Sequence, residues 1–87
     1  MGEGTVIVTY KIMPEGIETD LDSLEQEIKT KIDPQKIERV PIAFGLNAIK
    51  IVKVIPEKEG EADRIADEIK KTNGVQSVEI VEMTRSF

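Results

Sequence analysis

Apolar residues in this chain recur first at every second position, then at helical spacing, then at every second position twice over. A second helical stretch and a last alternating one complete the series, and few folds accept that order. From Thr5 to Met13, Val6, Val8, Tyr10 and Ile12 alternate with Ile7, Thr9 and Lys11. A period-two pattern rich in β-branched residues predicts a strand, ended by the turn chemistry of Pro14-Glu15-Gly16. Thr19-Asp20-Leu21-Asp22 predicts a helix start, with Thr19 as cap and acids in the first turn. Leu21, Leu24, Ile28 and Ile32 then form one apolar stripe, and Asp33-Pro34 stops the helix.

Lys36 to Phe44 predicts a second strand. Pro41 inside it cannot donate to a ladder, which assigns this strand to a sheet edge. After the break at Phe44-Gly45, Leu46 to Ile55 is apolar on both faces at several points, as a central strand is, and Pro56 closes it. Ala62, Ile65, Ala66 and Ile69 make the second helical stripe, with Lys70 and Lys71 suited to the helix dipole and Asn73-Gly74 as a left-handed stop. Val75 to Met83 predicts the last strand, leaving Thr84-Arg85-Ser86-Phe87 as a short tail. The order β-α-β-β-α-β predicts an α+β, ferredoxin-like domain over residues 1–87. Its four-stranded antiparallel sheet carries both helices on one face and leaves the other open for docking.

The chemistry open to such a chain is narrow. Its 87 residues suffice for one two-layer core and leave little room for a deep internal pocket. There is no cysteine and no histidine, so disulfides, thiolate metal sites, cysteine nucleophiles and imidazole bases are all excluded. Asp20 and Asp22 begin an EF-hand-like spacing, but Leu24 replaces the third ligand and the turn glycine is missing. The acids Glu18, Asp20, Asp22 and Glu25 are read as a solvated helix start, and Glu57, Glu59 and Glu61 as a solvated loop. A net charge of −5 and only Tyr10, Phe44 and Phe87 as aromatics argue against nucleic-acid binding by phosphate contacts or base stacking. No apolar run spans a membrane, the start Met1-Gly2-Glu3 carries no signal or myristoylation pattern, and no phosphate-loop spacing occurs. A cytoplasmic protein that binds another macromolecule is the expectation.

Two positions stand out against this background. Phe44, at a strand-strand connection, fits either a hydrophobic anchor of an edge strand or an exposed binding hot spot. Arg85 fits either a solvated tail or a cation held out toward a partner's anionic site.

The segment Val40-Pro41-Ile42-Ala43-Phe44-Gly45-Leu46, followed by Ile49 and Ile51, resembles the Val-Pro-x-Gly/Ala-aromatic-Gly-Ile/Leu segment of the elongation factor 1-beta family. Met13-Pro14 through Leu24-Glu25 and Gly74-Val75-Gln76-Ser77-Val78-Glu79-Ile80 are similar to the family's flanking segments, in the same order. The resemblance covers nearly the whole chain and corresponds to the isolated exchange domain of archaeal members. It implies a guanine nucleotide exchange factor for elongation factor 1-alpha, the GTPase that delivers aminoacyl-tRNA to the ribosome. The GTPase would be engaged in its GDP-bound and nucleotide-free states, without cofactor, metal or covalent chemistry, and without direct contact to nucleic acid or membrane. In the family an aromatic at the place of Phe44 presses into the GTPase and helps shift its switch region. A lysine near the carboxyl end approaches the Mg²⁺ and phosphate site; counted from Gln76-Ser77, it falls on Arg85. Arginine keeps the charge but is a planar fork rather than a compact ammonium, and Ser86 and Phe87 extend past the family's usual end. Pro41, Gly45 and Met83 complete the expected partner-binding set.

Two other functions share the topology. A small-ligand sensor of the amino-acid-binding type would need a pocket at a helix-strand or subunit junction. An acylphosphatase-type enzyme has its asparagine candidate in Asn47, but Met13-Pro14-Glu15-Gly16 offers no arginine in the first loop.

Overall fold

The computed structural model describes residues 4–86. Met1, Gly2, Glu3 and Phe87, on which the readings of the start and of the last tail residue rest, lie outside the described residues. The elements run β1 (Thr5–Pro14), α1 (Leu21–Ile32), β2 (Lys36–Ala43), β3 (Leu46–Pro56), α2 (Glu61–Lys70) and β4 (Val75–Ser86). The sheet order is β2-β3-β1-β4, and every neighbouring pair is antiparallel. This is the ferredoxin-like α+β architecture, with β2 at an edge and β3 inside, as Pro41 and the two-faced apolarity of β3 predict.

Period-two alternation sends Val8, Tyr10 and Ile12 of β1 into the core, where Tyr10, Ile12 and the facing Ile49 and Ile51 of β3 are fully buried. The helices close over them with Leu24, Ile28 and Ile32 from α1 and Ala62, Ile65 and Ile69 from α2. Each buried aliphatic side chain contributes about 1.5–3 kcal/mol by leaving water. Tyr10 brings a polar group into this core, and its hydroxyl donates to the Ala62 carbonyl at 2.8 Å. Burial, and next the charges of Asp63 and Glu61, push the phenol up to about 12.

The helix ends differ in detail from the local expectation. Asp20, not Thr19, caps α1: its side chain accepts from the Ser23 N–H, which holds the carboxyl below the usual carboxylate range. Thr19 Oγ1 instead accepts from Gly16 N–H at 3.2 Å and closes the preceding turn. Asp33 stops α1 in the left-handed region, its N–H bonded to the Lys29 carbonyl. The cap of α2 is Lys71 with right-handed geometry; the left-handed Gly74 (φ 93°) turns the chain into β4 rather than ending the helix.

The largest departure is at the carboxyl end. β4 does not stop at Met83 but continues to Ser86, because the first residues of β1 offer it a ladder: Thr84 faces Ile7, Arg85 faces Val6 and Ser86 faces Thr5. Arg85 is a strand residue, not part of a free tail.

Candidate functional site

The exposed chemistry gathers at two ends of the sheet. At one end β2 and β3 join through the two-residue loop Phe44-Gly45, flanked by the paired residues Ala43 and Leu46. Both loop residues have positive φ, 51° for Phe44 and 81° for Gly45. That is the backbone a tight hairpin needs to match strand twist, and asparagine or glycine supplies it at least cost in the first position. A phenylalanine there is a steric outlier. Its side chain is 99% exposed, so no packing offsets the strain. The bulge between Pro41 and Ala43 leaves Ile42 as the extra residue of β2, itself partly exposed. Pro41, Ile42, Phe44 and Gly45 thus make an exposed tip. Of the two readings of Phe44, the hydrophobic anchor is excluded.

At the other end the phase of β4 decides which way Arg85 points. Tyr10 pairs with Ile80 but Thr9 pairs with Glu82, so Val81 is an inserted bulge residue. Beyond it, Met83 faces Val8 and Arg85 faces Val6. Directly opposed residues share a sheet face, and Val8 belongs to the buried set of β1, so both side chains project on the helix-bearing side. There a groove of about 350 Å³ is lined by Val6, Ile55, Ala62, Glu57, Met83 and Arg85, among others. The Arg85 guanidinium forms an ion pair with the Glu57 carboxylate and is 65% exposed. Met83, 54% exposed, forms an apolar wall beside it.

The two ends do not form one pocket. Arg85 lies in register with Val6 and so with Ile55, whereas the hairpin opens at Leu46. Roughly nine residues of β3 separate those rows, about 30 Å at the rise of an extended strand. Phe44, Pro41 and Gly45 are brought together, Met83 and Arg85 are brought together, and the groups stand apart on a molecule 47 Å long.

Glu57 was not legible as a site residue. It reads as one acid of a solvated loop, and no local pattern links it to Arg85. Ile17, 70% exposed in the β1–α1 loop, is a further apolar group outside the sequence-derived set. Its signal is an isoleucine inside an otherwise polar turn. Among the described residues no group of three or more potential ligands could hold a metal ion, and no helix is long and apolar enough to cross a membrane.

The geometry defines a ferredoxin-like module whose prominent features are an aromatic tip and a groove holding the Arg85–Glu57 pair at opposite ends of one sheet. Residues 7–85 match the EF-1 guanine nucleotide exchange domain, and the chain belongs to that family. It is 40% identical over 81 residues to elongation factor 1-beta of Methanoculleus marisnigri, covering 93% of this chain and 96% of the relative. The elongation factor 1-beta proteins of Archaeoglobus fulgidus (40% over 86 residues, 92% and 96% covered) and Methanothermobacter thermautotrophicus (34% over 86 residues, 94% and 97% covered) are similar along nearly their whole length. The resemblance read in the three sequence segments is thereby borne out, and with it a role in EF-1 nucleotide exchange.

Proposed function

We propose that residues 1–87 act as one exchange domain on elongation factor 1-alpha, promoting GDP release and GTP reloading during translation elongation in the cytoplasm. The observation that carries this reading is Phe44, held fully exposed on left-handed backbone. Strain of this kind persists where a function uses it, and a free aromatic on a rigid hairpin is a binding anchor. Phe44, with Pro41 and Gly45 shaping its turn, docks on the GTPase. Arg85, with Met83 as the apolar wall beside it, approaches the Mg²⁺ and phosphate site. A GTPase holds GDP through Mg²⁺, backbone amides and a lysine around the phosphates. The factor has to bind the nucleotide-free state better than the GDP state, since only differential affinity shifts an equilibrium. A guanidinium presented by a sheet strand can replace part of the positive charge that Mg²⁺ supplies. The step makes and breaks no covalent bond, and the GTPase is engaged in both its GDP-bound and empty forms, without nucleic acid or membrane.

Stopped-flow release of fluorescent GDP from a cognate archaeal elongation factor 1-alpha tests the reading. Wild type should accelerate release. Phe44→Ala and Arg85→Ala should each slow it at least about tenfold, the scale of one hot-spot residue. Arg85→Lys should retain much of the activity, because the required property is positive charge. Unchanged rates with both alanine variants at saturating factor would overturn the assignment of these residues.

A further inference from the structure

The Arg85 guanidinium is already occupied. Glu57, the residue that follows β3, is the acid ion-paired with it among the described residues. Glu57 is itself fixed from its other side. Its backbone N–H donates to the Gly4 carbonyl at 3.0 Å, and its carboxylate lies so close over Gly4 that a Cβ there would stand 2.9 Å from Oε1. The neighbouring acid Glu61 is taken by Arg64 at 2.6 Å. One carboxylate is thus anchored to the start of β1 and aimed at the end of β4.

Resting on the exchange reading, we infer that Glu57 is the resting counter-ion of Arg85 and competes with the partner's phosphate or carboxylate oxygens for it, making Glu57 a positioning residue of the same site. The guanidinium is 65% exposed and the carboxylate 36%, so water screens the pair and it can be given up readily. When Arg85 leaves, Glu57 stays behind with its backbone tied to Gly4, and its freed negative charge faces an anionic surface. Competition and like-charge repulsion act in the same direction, so both oppose engagement. Neutralising Glu57 should therefore help, where neutralising Arg85 harms.

Glu57→Gln keeps shape and removes charge. It should raise kcat/KM for catalysed GDP release about two- to fivefold, the range an exposed ion pair supports, with the thermal midpoint unchanged. In an Arg85→Ala background the same substitution should have no effect, since coupling requires both partners. Gly4→Ala, which alters neither charge but crowds the Glu57 carboxylate, should shift the rate in the same direction as Glu57→Gln. A slower or unchanged rate with Glu57→Gln, or an equal gain without Arg85, would overturn the inference. A second readout needs no GTPase: nitrogen-15 NMR of the Arg85 side chain should show hindered rotation about Nε–Cζ in the wild type and faster rotation in Glu57→Gln. If wild type failed to speed GDP release at all, the exchange reading would fall by itself. The NMR would then decide the resting pair alone, hindered rotation supporting it and free rotation in the wild type overturning it.

Discussion

A left-handed backbone costs an ordinary L-residue roughly 1–2 kcal/mol, and Phe44 bears that cost while its ring gains nothing by burial. Asparagine tolerates the same φ. Phe44→Asn should therefore raise unfolding free energy by about 0.5–1 kcal/mol while slowing catalysed GDP release tenfold or more. Denaturant unfolding beside the release assay checks both halves; a destabilised variant would mean that the ring packs against something after all. Tyr10 makes a different prediction, on pH. Its folded-state pKa, raised by burial to about 12, exceeds the ordinary phenol value. The stabilisation is complete below the unfolded-state pKa of about 10 and is lost as pH climbs through about 12. Unfolding free energy should fall over that window, and Tyr10→Phe should remove this part of the decline, read by chemical unfolding at a series of alkaline pH values.

At the scale of elements, the parts whose information is local were legible and those that depend on a distant strand were not. Six elements, their order and their core stripes follow from alternation, caps and turns, and Pro41 alone identifies β2 as an edge. The exposure of Phe44 was not legible, because the same spacing fits a packed anchor; it follows from the positive φ of the two-residue hairpin. The extension of β4 was not legible either, because Thr84-Arg85-Ser86 has no apolar alternation and becomes a strand only through its pairing with Thr5, Val6 and Ile7. The bulge at Val81 is equally silent. Strict alternation from Ile80 would turn Arg85 to the open face of the sheet, whereas the inserted residue turns it to the helix side. Deleting Val81 would remove the bulge and leave Arg85 opposite Val6, so stimulated release should be kept. Deleting Thr84 instead would place Arg85 opposite Ile7, on the open face. Circular dichroism should still show an α+β fold, yet release should drop to the level of Arg85→Ala, although the arginine is present; full activity after that deletion would show that the face taken by this side chain does not matter.

On the scale of the molecule, the aromatic tip and the Arg85 groove are about 30 Å apart along β3, too far for one substitution to disturb the other. The losses of activation free energy in Phe44→Ala and Arg85→Ala should add in the double variant to within about 0.5 kcal/mol. Strong non-additivity in the release assay would mean that the two ends cooperate through the sheet. The ladder between Thr5 and Ser86 carries a further consequence. It brings the two ends of the sheet's inner and outer strands side by side, next to Arg85 and far from Phe44. A circular permutant that bridges these positions with a short linker and opens the chain in the Lys58-Glu59 loop would keep every described strand pairing. Its new covalent bridge would lie at the Arg85 end of the sheet and leave the Phe44 hairpin untouched, so connectivity alone would alter one end of the molecule and spare the other.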